Sequence, residues 1–283
     1  MINAHKIDYK ISGDHCQTAT IGLDINETVV ADAGSLLGMD SGVEMNTIMG
    51  DGSEKNNSGI VSTLVGAGSR LLVGEGLFMT TFTNTVGNKK VASFAAPFPG
   101  KIIPIDLAET KHNTLIAQRD AFLCGAKGVS ISLAFQKKIL AGIFGGEGFV
   151  LQKLEGDGLI FLSCGGNVLT KTLKENETFK IDTGCLVCME PSVAFDVQRV
   201  SGIKNMVFGG EGIFLASLTG PGKIWLQSMP ASKLAAQILS RSGARIDGVF
   251  SGVAKQTTNT ATRIGTRHGV EFGINMLKNF LRK

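Results

Sequence analysis

The feature that most constrains this chain is a short stretch that occurs three times: Gly74-Glu75-Gly76, Gly146-Glu147-Gly148 and Gly210-Glu211-Gly212. Each copy opens an apolar run: Leu77-Phe78-Met79, Phe149-Val150-Leu151 and Ile213-Phe214-Leu215. Between residues 144–162 and 208–226, eleven of nineteen aligned positions are identical without a gap, so the likeness extends well past the motif. Internal repetition of this kind means copies of one small unit, each covering apolar surface that its neighbour cannot bury alone.

A second similarity runs ahead of the motif. Residues 23–40 and 173–190 match at eight of eighteen positions: Leu, Asn, Glu, Thr, Asp, Gly, Leu and Met. In the first copy, Leu23-Asp24-Ile25-Asn26 leads into Glu27-Thr28-Val29-Val30-Ala31-Asp32, then Gly34 and Leu36-Leu37, a pattern that predicts a hairpin. A weaker third echo starts at Ile105-Asp106-Leu107-Ala108-Glu109-Thr110. Each echo precedes one Gly-Glu-Gly, which divides the chain into three units, residues 1–100, 101–166 and 167–229, and a tail, 230–283.

After each motif the pattern predicts a second hairpin. In the middle unit, strand 149–154 runs through Glu155-Gly156-Asp157-Gly158 to a return strand over 159–164. In the third, 213–218 and 223–229 flank Thr219-Gly220-Pro221-Gly222, and the first unit lengthens the turn over residues 84–90. Both strands are almost wholly apolar, so both faces must be covered, as in a sandwich or at a junction between repeats. Residues 95–104 hold three of the six prolines and read as a linker. Past Pro230, residues 232–241 are Ala/Leu-rich and predict a helix.

Composition narrows the class. An apolar share of 43% against 18% charged residues is that of a compact chain. The opening Met1-Ile2-Asn3-Ala4-His5-Lys6 reads neither as a secretory signal nor as an Arg-rich transit sequence. No apolar run approaches eighteen residues, and the five cysteines sit mostly in apolar segments, so a cytoplasmic protein is expected. The net charge of +4 is uneven: residues 241–283 carry eight Lys/Arg against Asp247 and Glu271, which leaves 20 Lys/Arg against 22 Asp/Glu elsewhere. A body of that balance, with one Tyr and one Trp, is not built to grip nucleic acid.

Among chemistry-bearing residues, Glu75, Glu147 and Glu211 are the candidate ligand or cation site. Grouped about a pseudo-threefold axis, three carboxylates would hold a cation and raise one another's pKa. The plainer reading is a charged residue at a strand entry, flanked by glycines for close backbone approach, since a metal site needs further ligands. Cys185-Leu186-Val187-Cys188 is the one CxxC and has no second pair at zinc-site spacing. Within a strand its two thiols would face opposite ways, so the cysteines are read as core. His5, His15, His112 and His268 form no HxxxH or HExxH, and Gly145-Gly146-Glu147-Gly148 lacks the Lys-Ser/Thr of a phosphate cradle. No catalytic residue, metal site or cofactor is expected.

The whole pattern resembles a known family. The residues that carry it are the early Glu27-Thr28 segment with Gly34 and Met39, then Gly74-Glu75-Gly76-Leu77-Phe78, and then Ala95 through Leu107. Next come Phe144-Gly145-Gly146-Glu147-Gly148, its repeat at Phe208, and Leu226-Gln227-Ser228. Over residues 5–240 the chain is similar to the altered-inheritance-of-mitochondria family and its uncharacterised bacterial relatives. The resemblance implies three copies of a short double-stranded β-helix unit, like that of the tryptophan RNA-binding attenuation protein, packed as a pseudo-trimer. It implies no reaction, and the attenuation protein's ligand motifs have no counterpart here.

The expectation is a mainly β protein of three tandem sandwich-like repeats in a pseudo-threefold arrangement with a helical, basic tail. Its expected role is a non-catalytic scaffold that binds a partner protein or a small ligand. The alternatives are a small-molecule or RNA-binding module of the attenuation-protein fold and, behind it, a hydrolase or isomerase. In residues 264–283, Val270, Ile274, Leu277 and Leu281 fall on one helical face. That helix would dock on its own body, join copies in a homo-oligomer, or lie on an anionic membrane as a peripheral contact.

Overall fold

The computed structural model describes residues 4–32, 34–49, 78–137, 149–199 and 214–241. In chain order come β1 (Asp8–Ser12), β2 (Thr18–Leu23), β3 (Thr28–Ala31), β4 (Leu36–Met39), β5 (Val43–Met49), β6 (Phe78–Asn84) and β7 (Lys90–Ala95). Then follow β8 (Gly100–Asp106), β9 (Thr114–Gln118), β10 (Phe122–Ala126), β11 (Ser130–Lys137), β12 (Phe149–Glu155) and β13 (Leu159–Gly165). Last come β14 (Val168–Leu173), β15 (Thr178–Asp182), β16 (Leu186–Met189), β17 (Ala194–Arg199), β18 (Phe214–Thr219) and β19 (Gly222–Gln227), before helix α1 (Ala231–Arg241). The helix stands where the Ala/Leu-rich run predicts it.

The protein is mainly β, and its strands assemble into antiparallel sheets. A four-stranded sheet has the order β1-β2-β7-β4, and a six-stranded sheet the order β5-β6-β3-β10-β13-β8. A second six-stranded sheet runs β11-β12-β9-β16-β19-β14, and a three-stranded sheet runs β15-β18-β17. Three cores fill the spaces between successive sheets. The first joins Ile21 and Phe94 of the four-stranded sheet to Phe82 and Phe161 of its neighbour. Phe82 and Phe94 meet edge to face at 5.2 Å. The second core holds Leu115, Leu154, Ile160 and Val187, and the third Phe149, Leu151, Leu218 and Ile224. Burying one such side chain contributes about 1.5–3 kcal/mol.

The strands fall where the repeats predict them, but the predicted hairpins do not form. β12 pairs with β11 and β9, whereas β13 pairs with β10 and β8 in a different sheet. In the same way β18 joins β15 and β17, while β19 joins β14 and β16. The Gly-rich turns therefore arch from one sheet to the other, and the two strands face each other across a core. That is why both are apolar. At Gly222 the backbone has φ +151°, and a Cβ there would stand 2.7 Å from Val193 Cγ2. The early hairpin is corrected likewise, since β2 pairs with β1 and β7 while β3 pairs with β6 and β10. Residues 95–104 are only partly a linker: β8 begins at Gly100, and Pro104 lies in this sheet-edge strand, where a missing N–H costs no ladder bond.

The residues shared by 23–40 and 173–190 have shared structural duties. Asn26 and Asn176 adopt left-handed backbone angles, φ 66° and 61°, which asparagine tolerates. Glu27 accepts the Asp24 N–H at 2.7 Å, and Glu177 accepts the Lys174 N–H at 2.9 Å. Asp32 and Asp182 accept the N–H of Gly34 and Gly184 at 3.3 and 3.0 Å. By its internal contacts the chain divides into two units: Met1–Ser232, with all the described strands, and Lys233–Lys283, whose described residues complete α1.

Candidate functional site

Glu75, Glu147 and Glu211 lie outside the described residues, as do residues 264–283. The strands just downstream of the three glutamates are described: β6, β12 and β18 are each flanked on both sides by other strands of their sheet. Phe149, at the start of β12, stacks on Phe195 at 5.5 Å, and Phe195 meets Phe135 edge to face at 5.4 Å.

Most carboxylates with a described partner hold backbone in place. Besides those at the turns, Asp40 accepts the Val91 N–H at 3.0 Å, Asp106 that of Ala108 at 2.9 Å, and Glu190 that of Lys223 at 2.9 Å. Lys89 pairs with Asp8, and with Asp24 at 3.4 Å, so the Lys89-Lys90 turn is tied into its own surface. Lys223 lies 4.8 Å above the Trp225 ring. Among the described residues no group of three or more His, Cys, Asp or Glu side chains could hold a metal ion.

The CxxC splits between two settings. Cys185 closes the 3₁₀ turn Thr183–Cys185 rather than lying in the strand as expected, and Cys188 is buried in β16. Burial pushes the thiols of Cys124 and Cys188 well up, and that of Cys164 to about 11, so none is a ready thiolate. Two other groups are shifted. Burial, with the Lys127 charge, lowers the His5 pKa against a smaller opposing effect of Glu27, and His5 Nδ1 accepts the Thr28 N–H at 2.9 Å. Desolvation raises the Asp120 carboxyl although much of the residue reaches solvent; Arg119 opposes this and Asp32 adds to it.

Two sheet edges stand out. In β4, β10 and β16 the ladder skips one residue in the same way, between Leu36 and Gly38, Phe122 and Cys124, and Leu186 and Cys188. The skipped residues are Leu37, Leu123 and Val187. Leu123 and Val187 are 2% and 0% exposed, but Leu37 is 63% exposed. The physical difference is a neighbour: among the described residues β10 is covered by β3 and β16 by β9, while β4 ends its sheet. β15 likewise ends its sheet, whereas β3 and β9 are paired on both sides. Nothing in the amino-acid pattern marks this, because Leu36-Leu37-Gly38-Met39 and Leu186-Val187-Cys188-Met189 read alike.

A mainly β protein of stacked antiparallel sheets is the class this fold defines. Residues 9–229 match the family described as Mitochondrial biogenesis AIM24, and the chain belongs to that family. The match agrees with the resemblance carried by the Gly-Glu-Gly repeats. An X-ray crystal structure of protein SPYM3_0169 from Streptococcus pyogenes is similar, with a TM-score of 0.63 and 22% identity over 84% of this chain and 100% of that one. At that identity the likeness is one of fold. No curated protein matches the chain. Among the described residues no helix is long and apolar enough to cross a membrane.

Proposed function

We propose that the chain is a non-catalytic β scaffold that binds a partner through its open sheet edges. It is built of three tandem units, residues 1–100, 101–166 and 167–229, in a pseudo-threefold series that does not close on itself, so that β4 of the first unit and β15 of the third keep their open edges. The observation that carries the binding role is Leu37, 63% exposed on an edge strand whose counterparts are buried. Exposed apolar side chains beside unpaired backbone form a surface that a further strand can complete.

The recurring strand order supports the units. β2-β7-β4, β8-β13-β10 and β14-β19-β16 are the same order taken three times, and so are β5-β6-β3, β11-β12-β9 and β17-β18-β15. Two facing three-stranded sheets per unit suit the short double-stranded β-helix of the attenuation protein. In this reading β6, β12 and β18, which follow Glu75, Glu147 and Glu211 in the chain, are equivalent central strands. A scaffold also fits a family described by biogenesis rather than by a reaction.

Native mass spectrometry of the protein as purified tests the reading. A bound partner or ligand is expected on the wild type, lost in Leu37→Asp and kept in Ile25→Asp, which alters an exposed turn residue instead. Equal retention by both variants would contradict it.

A further inference from the structure

One class of edge strand shows, within the chain itself, how a further strand is taken up. β2, β8 and β14 hold the same place in their sheets, each beside the strand whose other neighbour is β4, β10 or β16. Among the described residues only β2 has a second neighbour, β1. There Asp8 lies opposite Gly22, Tyr9 opposite Ile21, Lys10 opposite Thr20 and Ile11 opposite Ala19.

Backbone direction decides which of the other two edges is able to follow. The Val91 N–H donates to the Asp40 carboxylate and its C=O accepts the Asp40 N–H, both at 3.0 Å. Gly22, opposite Val91, and Thr20, two residues away, therefore turn their backbone groups to β1. Lys223 bonds Glu190 in the same two ways, both at 2.9 Å. Thr172, opposite Lys223, and Thr170 accordingly present their backbone groups to the open side of β14. In β8 the place of Thr20 and Thr170 is held by Pro104, opposite Phe161 as they are opposite Ser93 and Trp225. With no N–H to offer, Pro104 bars a strand from β8. β14 has no such guard. Its Thr170 and Thr172 are exposed, and Leu169 is 60% exposed, whereas Ala19, in the same place opposite Ile11, is 0% exposed.

We infer that β14 takes an extended acidic segment of a partner protein as an added antiparallel strand, as β2 takes β1. The inference rests on the scaffold reading and names the kind of partner. In the register of β1, Thr170 and Thr172 form the hydrogen-bonded pairs. Leu169 and Lys171 fall in the intervening pairs, where facing side chains come closest. Lys171 stands in the place of Ile21, pairs with Glu177 at 2.8 Å and lies 5.3 Å from the Phe179 ring centre. β14 and β19 together carry Lys171 and Lys223 and no Asp or Glu. A lysine on an edge strand discourages indiscriminate strand addition, and here it selects an acid. The segment that fits places an acid opposite Lys171 and, two residues on, an apolar side chain opposite Leu169. The chain's own residues 241–283, with eight Lys/Arg against Asp247 and Glu271, have the wrong charge.

Two labelled peptides patterned on β1 test this by fluorescence anisotropy against the full chain. Both have the sequence of residues 6–13 with Lys10→Thr, one with Tyr9→Glu and the other with Tyr9→Lys. The wild type is expected to bind the Tyr9→Glu peptide about tenfold or more tightly than the Tyr9→Lys peptide. Thr170→Pro, which copies Pro104, should abolish binding, and Lys171→Glu should reverse the preference, with folding of each variant checked by circular dichroism. No binding of the Tyr9→Glu peptide to the wild type overturns the inference. So does equal binding by a folded Thr170→Pro variant, or a preference that Lys171→Glu leaves unchanged. The scaffold reading would survive those results if binding by native mass spectrometry still depends on Leu37.

Discussion

Thr28 Oγ1 lies 2.9 Å from Thr83 Oγ1, and the same bond recurs between Thr178 Oγ1 and Thr219 Oγ1, also at 2.9 Å. The bonds join equivalent strands, β3 to β6 and β15 to β18, but Thr28 is buried and Thr178 is exposed. Thr28→Val should therefore cost about 1 kcal/mol, the net worth of one buried hydrogen bond. Thr178→Val should stay within about 0.5 kcal/mol of the wild type, as exposed substitutions do. Urea denaturation of the two variants checks the contrast.

The sheet-switching turns make a second prediction. Gly222→Ala meets both a positive φ and the Val193 side chain, whereas a Cβ on Gly87 meets nothing within 4 Å. The first change should destabilise by about 1–3 kcal/mol. Gly87→Ala should be close to neutral. Thermal unfolding of the pair reads the difference.

These turns also mark how far the sequence was legible. Repeats located the strands because residues such as Leu151, Leu154, Ile160 and Leu162 recur with their spacing in the next unit. Pairing was not legible, because Glu155-Gly156-Asp157-Gly158 is as good a signal for an arch between sheets as for a hairpin. The distinguishing sign was the apolar character of both flanking strands, which fits face-to-face packing better than one shared sheet. The candidate glutamates were conspicuous in sequence and fall outside the described residues. The open edge at Leu37 was invisible, because its exposure depends on which strand lies beside β4 and not on β4 itself.

His5 gives the protein a mild acid sensitivity. Its folded-state pKa lies below the ordinary 6.5, because burial and Lys127 disfavour the charged ring more than Glu27 favours it. The unfolded chain thus binds the proton more readily. The stabilisation is complete above pH 6.5 and declines as pH falls through the folded value. His5→Asn keeps an acceptor for the Thr28 N–H without titrating. Solvent reaches part of the ring and screens its charge, which keeps the effect small. Between pH 7.5 and 5 the wild type should lose about 0.5 kcal/mol more stability than His5→Asn. Parallel pH profiles would disprove the link.

Thiol labelling follows from burial. Cys16 is exposed and Cys185 intermediate, while Cys124, Cys164 and Cys188 are buried, with their thiols held protonated. In native protein a maleimide should modify Cys16 first and Cys185 more slowly. The other three should react only on unfolding. Mass spectrometry of timed aliquots reads the order directly.

The scaffold depends on one contrast: β10 and β16 are each sealed by a strand of the preceding unit, and β4 is not. Amide hydrogen exchange read peptide by peptide measures this in dilute protein, where copies are apart. Residues 122–126 and 186–189 should exchange slowly, and residues 36–39 markedly faster. Protection of 36–39 equal to that of the other two segments in a monomeric sample would contradict the open edge and the scaffold built on it.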